Sequence, residues 1–233
     1  MKKQIFGAMM LVAALIMTGC GNNDDPTKKD VKNKKEVKVE KENRMLIIVD
    51  PQIDFTTGSL ATAKGPEAMD RLAQAIDNGV LDKYTWVIVT QDAHPTNHCS
   101  FVDNGGVFPP HCVQGTEGMN VYPPLQKALE DSKFSEYHYM TKGDLADKEE
   151  FSIFQNAKSS EKLTTTIKEV DFKGIDICGI ATDYCVYETT KDLMAIYPAK
   201  QIRIVTNCIA AVDENDTKLA DLMKENGIEG ITF

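Results

Sequence analysis

Several marks of specialised protein classes are scarce in this chain. Aromatic side chains make up 7% of its 233 residues, tryptophan occurs once and histidine four times. No apolar run reaches the ~20 residues of a membrane-spanning helix; the run at residues 5–17 has 13. No repeat of 20–50 residues is visible, which removes solenoids and propellers. Positive charge is short as well, with 26 Lys and Arg against 35 Asp and Glu, a formal charge of −9. Residues 1–44 carry ten of the basic and six of the acidic side chains, which leaves 16 basic and 29 acidic in residues 45–233. So acidic a body repels phosphate backbones and argues against a nucleic-acid partner. The remainder, 42% hydrophobic and 26% charged, has the balance of an ordinary globular protein of one large domain.

The first 44 residues read as an address and a tether. Met1-Lys2-Lys3 followed by IFGAMMLVAALIM has the charged start and apolar core of a secretion signal. It ends in Met17-Thr18-Gly19-Cys20, which resembles the lipobox of bacterial lipoproteins. That resemblance implies a lipoprotein signal peptide at residues 1–19, a lipid on Cys20, and a protein anchored to a membrane of the bacterial cell envelope, outside the cytoplasm. Residues 21–43 contain seven Lys, six acids, no aromatic residue and three Val as the only aliphatics. Such a segment buries too little apolar surface to offset its ordering entropy, so residues 20–44 are expected to be a disordered, charged tether. The folded domain is expected at residues 45–233.

Within that domain, continuous aliphatic runs at 45–49 and 86–89 read as strands buried on both faces, with weaker versions at 175–180 and 202–205. Helical patterns lie between and after them, at 66–78, 124–131, 161–169, 183–195 and 214–226. Pro66 and Pro124 suit first helical turns, and Gly79 and Gly227 suit helix ends. Alternating strands and helices predict a single α/β domain, with a doubly wound, mainly parallel sheet and helices on both faces.

In such a sheet, ligands bind beyond the carboxyl ends of the strands. Those ends carry Asp50, then Gln91, Asp92 and His94, then Thr182, Asp183 and Cys185. Each alone could be a helix cap; an acid, an imidazole and a thiol on one rim are more than that. Three of the four histidines, His94, His98 and His111, share the loop that begins with Asp92. Imidazole with carboxylate suits Zn²⁺, Fe²⁺ or Mn²⁺, and spacing does not choose among them. Cys185 opens a helix, where free N–H groups and the helix dipole favour a thiolate and can form an oxyanion hole. Cys99, Cys112, Cys178 and Cys208 are read as buried structural cysteines or disulfide partners.

Four blocks then appear in order. They are Asp50-Pro51-Gln52-Ile53-Asp54-Phe55; Asp92-Ala93-His94-Pro95-Thr96-Asn97-His98; Phe108-Pro109-Pro110-His111-Cys112; and Gly179-Ile180-Ala181-Thr182-Asp183-Tyr184-Cys185, with Lys142-Gly143 before the last. Together they resemble the cysteine-hydrolase branch of the isochorismatase-like superfamily, and within it the nicotinamidases, over about residues 45–233. The resemblance implies the isochorismatase-like hydrolase fold, with Cys185 as nucleophile, Asp50 as its base and Lys142 as the third catalytic group. It implies an oxyanion hole at the N–H groups of Ala181 and Cys185, with a cis peptide before Ala181. Asp92, His94 and His111 become ligands of one divalent transition metal (Zn, Fe or Mn), with His98 a further ligand only in some members. Phe55 and Phe108 become the walls around an aromatic ring.

The implied reaction is hydrolysis of nicotinamide, or a close small aromatic amide, to the acid and ammonia through a Cys thioester, as in pyridine nucleotide salvage. Phe108 stands where Trp is frequent, Ile53 replaces a frequent Asn, and the segment 151–154 lacks the Tyr hydroxyl of the family's lid. The expected partners are that small amide and the membrane, with room for a homo-oligomer. One alternative is a hydrolase of another small amide or an N-carbamoyl compound. An alternative of a different class is a non-catalytic metal- or ligand-binding lipoprotein, against which Asp50, Lys142 and Cys185 together argue, since binding needs no thiol with base and ammonium.

Overall fold

The computed structural model describes residues 43–233. The expected signal peptide at residues 1–19, the lipidated Cys20 and the tether as far as residue 42 lie outside the described residues. Among the described residues, no helix is long and apolar enough to cross a membrane.

Among the described residues, six strands form one sheet: β1 (Arg44–Val49), β2 (Trp86–Asp92), β3 (Tyr137–Lys142), β4 (Gly174–Ile180), β5 (Ile202–Ala210) and β6 (Glu229–Ile231). Their order is β3-β2-β1-β4-β5-β6, and every neighbouring pair is parallel. The chain winds outward from β1 in one direction and then, from β4, in the other. β1 and β4 therefore flank the switch point, where a crevice opens beyond the strand ends. All six residues of β1 and all seven of β4 are buried, as their aliphatic runs require.

The described residues also form six α-helices that cover the sheet: α1 (Ile53–Thr56), α2 (Gly65–Asp77), α3 (Pro123–Asp131), α4 (Ala157–Glu169), α5 (Cys185–Met194) and α6 (Lys218–Asn226). Alternate side chains of β1 feed opposite cores. Leu46 and Ile48 pack with Met69 and Leu72 of α2 and Leu125 of α3. Met45, Ile47 and Val49 pack with Leu163 of α4, Val186 and Leu193 of α5 and Leu219 of α6. Each such fully buried aliphatic side chain contributes roughly 1.5–3 kcal/mol. Gly79 and Gly227 take left-handed φ values of 83° and 67° just past α2 and α6, as helix-ending glycines do.

The structure departs from the expected elements at several places. β1 starts at Arg44, the last residue assigned to the tether, because the Arg44 guanidinium lies 2.5 Å from buried Asp176 of β4. α4 starts at Ala157 rather than 161, since the Asn156 side chain caps it by accepting from Ser159 N at 3.1 Å. α5 starts at Cys185 rather than 183, and α6 at 218 rather than 214. β3 and β6 are additional to the four expected strands. The five cysteines among the described residues are free, with Cys112, Cys178, Cys185 and Cys208 buried.

Candidate active site

The strand ends at the switch point bring an acid, an ammonium and a thiol together. Directly after β1, Asp50 adopts φ 44°, unusual for a side chain with a Cβ. Thr90 of β2 fixes it, donating through Oγ1 to Asp50 Oδ1 at 2.7 Å and accepting from Asp50 N at 3.1 Å. Lys142 ends β3 opposite Asp92, the last residue of β2. Its Nζ lies 2.9 Å from Asp50 Oδ2, 2.5 Å from Asp92 Oδ1 and 3.5 Å from Cys185 Sγ. All four side chains are buried.

Cys185 is the first residue of α5, four positions beyond a cis Ile180–Ala181 peptide. The turn closes with Val186 N donating to Ala181 O at 2.9 Å. Among the described residues, no backbone carbonyl accepts from Ala181 N or Cys185 N, so both remain donors for a ligand oxygen.

Burial pushes the Cys185 thiol well above its ordinary pKa; Lys142 opposes that shift, and Asp50 and Asp92 add to it. Burial and the two carboxylates thus act against the thiolate that the helix terminus favours. Burial raises Asp50 too, against the pull of Lys142, which makes it a better proton acceptor. For Lys142 burial acts downward, but Asp50 and Asp92 outweigh it and hold the group charged. Asp92 falls below the ordinary carboxylate value, since Lys142 and His94 overcome its burial.

Donor atoms of Asp92, His94 and His111 all lie within 4.8 Å of one another. His94 Nδ1 donates to Gly143 O at 2.9 Å, which leaves its lone pair on Nε2. That Nε2 is buried without a hydrogen-bond partner, 3.6 Å from Asp92 Oδ2. His111 is oriented alike, with Nδ1 donating to Pro109 O at 2.8 Å. A carboxylate and two imidazoles, each imidazole anchored through its outer nitrogen, fit a divalent transition metal. His98 differs: Nδ1 bonds Ser100 Oγ at 2.7 Å and Nε2 donates to Lys148 O at 3.0 Å. Its ring stacks on His94 with centroids 4.0 Å apart, but neither nitrogen is free.

Beside these groups lies a small cleft whose lining includes Asp92, His111, Cys185 and both expected wall residues, Phe55 and Phe108. Tyr184 and Phe151 complete its aromatic side, with the Tyr184 ring 5.7 Å from Phe108 and 5.5 Å from Phe151. The motifs do not single out Tyr184 as a wall; its place directly before the thiol at a helix start is the one signal that could have found it.

A family model described as the isochorismatase domain matches residues 44–232, and the chain belongs to that family. Its relatives include the nicotinamidase/pyrazinamidase of Mycobacterium tuberculosis, 31% identical over 186 residues that cover 76% of this chain and 91% of that protein. Among solved structures, a pyrazinamidase of Pyrococcus horikoshii in complex with zinc superposes with a TM-score of 0.68 at 27% identity, covering 82% of this chain and 99% of that one. PnC1 of L. infantum in complex with nicotinate gives 0.70 at 28% identity, covering 83% and 94%.

Proposed function

We propose that this amidohydrolase uses Cys185, Asp50 and Lys142 to hydrolyse nicotinamide to nicotinate and ammonia, with a divalent metal on Asp92, His94 and His111. The observation that carries this reading is Lys142, whose one ammonium contacts the candidate base, the candidate nucleophile and a candidate metal ligand. Asp50 takes the Cys185 proton as Sγ attacks the amide carbonyl carbon, and the nearby ammonium favours the sulfur anion as it forms. The oxyanion accepts from the N–H groups of Ala181 and Cys185. Asp50 then gives its proton to the departing nitrogen as the C–N bond breaks, leaving a Cys185 thioester and ammonia. Water attacks the thioester, Asp50 removes its proton, and the acid leaves as the proton returns to sulfur.

The metal would supply a Lewis-acidic anchor for a pyridine nitrogen, with zinc, iron and manganese all suited to its ligands. The cleft beside the thiol is small, and its aromatic side, with Phe55, Phe108, Phe151 and Tyr184, suits one flat ring. Support comes also from the substrates in the relatives' names. The test is ammonia release by the purified protein offered nicotinamide, pyrazinamide or N-carbamoyl compounds. Release from the two aromatic amides is expected. Release from N-carbamoyl compounds alone overturns the substrate, and release from none overturns catalysis in favour of a binding lipoprotein.

We also propose that the enzyme is displayed on the cell envelope by a lipid on Cys20, where it meets nicotinamide arriving from outside. The short apolar run and Met17-Thr18-Gly19-Cys20 support this. Buried acyl chains contribute ~0.8 kcal/mol per CH₂, so membrane association should survive a salt wash and disappear in Cys20→Ala. An unprocessed chain found soluble in the cytosol overturns it.

A further inference from the structure

Glu150 takes no part in the chemistry above, yet it is 1% exposed. Its Oε2 accepts from Gly143 N at 2.8 Å and from the Asn156 side-chain amide at 2.9 Å, and its Oε1 meets the half-exposed Lys148 ammonium at 2.7 Å. Burying a carboxylate is costly unless its acceptor capacity is used, and here the inner oxygen is spent on a backbone amide.

That amide belongs to the peptide joining Lys142 to Gly143. Its carbonyl, Lys142 O, accepts from Ala93 N at 2.9 Å, so the peptide is gripped at both ends. Gly143 then turns at φ 66° and presents its own carbonyl to His94 Nδ1 at 2.9 Å. A Cβ at Gly143 would lie 2.5 Å from His94 Cε1, so the turn has no room for a side chain. One clamped peptide thus sets the root of the Lys142 side chain on one side and the acceptor that orients His94 on the other.

We propose that Glu150 is a positioning residue for the metal centre: by holding Gly143 N it keeps the Gly143 carbonyl on His94 Nδ1 and the His94 Nε2 aimed at the ion. The inference rests on Asp92, His94 and His111 being the ligand set. Partners at this remove from a metal typically contribute 10–100-fold in affinity.

Two near-isosteric variants separate reach from charge. Glu150→Gln keeps an oxygen at the right distance for Gly143 and Asn156, while Lys148 can swing into solvent. Glu150→Asp keeps the charge but falls one methylene short. Metal-free full-length protein is titrated with Zn²⁺ alone against a competing chelator, and the visible spectrum is recorded with Co²⁺ in its place. The Gln variant is expected to match wild type in both readouts. The Asp variant is expected to bind about 10–100-fold more weakly with altered cobalt bands. An Asp variant as tight as wild type, or a Gln variant as weak as the Asp variant, overturns the positioning role alone. Wild-type protein that binds no Zn²⁺ overturns the ligand set and this inference with it.

Discussion

Asp92 and Lys142 face each other as register partners at the ends of β2 and β3, with Nζ 2.5 Å from the Asp92 carboxylate. The same nitrogen reaches Asp50 at 2.9 Å, so one ammonium neutralises a candidate ligand of the metal and the candidate base of the reaction. Metal centre and thiol centre are thereby parts of one charge network.

Lys142→Met should expose that sharing. It leaves two buried carboxylates without their cation, and losing one partner of a buried pair costs about 3–5 kcal/mol. Urea unfolding of the metal-free variant should show such a loss, and added Zn²⁺ should restore part of it by neutralising Asp92. A loss indifferent to metal would assign the defect to packing. Turnover should fall by at least about 100-fold.

Cys185→Ala should release no ammonia while keeping its full complement of metal, because Sγ is the attacking atom and is not one of the Asp92, His94 and His111 donors. Cys185→Ser should be nearly as inactive, a hydroxyl being a far poorer nucleophile beside the same carboxylate. Substantial ammonia release from the alanine variant, measured alongside metal content, contradicts the thioester route.

Metal content per chain should rank the histidines. His94→Ala and His111→Ala each remove a donor, and should lose more than the ~10–100-fold in affinity typical of an outer partner. His98→Ala should stay within that range, since Ser100 and Lys148 already occupy both its nitrogens. Equal losses from all three variants would place His98 among the ligands.

A pH prediction comes from the opposite end of the sheet. Asp176 of β4 accepts from Arg44, Arg203 and Tyr84. Burial pushes its pKa up, but these bonds outweigh that, and the group sits below its ordinary 3.8. The folded form therefore binds its proton less readily than the unfolded chain does. The associated stability is fully present above pH 3.8 and is lost as pH falls through the lower folded value. Asp176→Asn, which removes the buried anion that Arg44, Arg203 and Tyr84 all contact, should cost about 3–5 kcal/mol at neutral pH. Its deficit against wild type should narrow in acid. Urea midpoints that keep the same gap from neutral pH into the acid range would contradict this.

The four inner strands were legible because burial on both faces demands unbroken aliphatic runs such as Met45–Val49. β3 was not: it is an edge strand, YHYMTK, whose fully buried residues are Met140 and Lys142, so it reads as a polar stretch. Lys142 accordingly entered through family resemblance and not through periodicity. The Asp92, His94 and His111 set was legible as a cluster on one loop. What freed His94 Nε2 and engaged His98 was not, because their partners, Gly143 and Lys148, lie 49 and 50 residues away along the chain. Thr90 likewise meets Asp50 from 40 residues away, and Glu150 grips Gly143 N from seven residues away, a contact that no hydrophobic period announces.

The strand order has a consequence for when the protein becomes reactive. Asp50, Lys142 and Cys185 sit at the ends of three different βα units, and the last two are 43 residues apart in sequence. No stretch of nascent chain contains a base poised over the thiol. Until β1, β3 and β4 have joined one sheet, Cys185 has neither Asp50 nor Lys142 beside it, so folding itself assembles the reactive group and no local segment can.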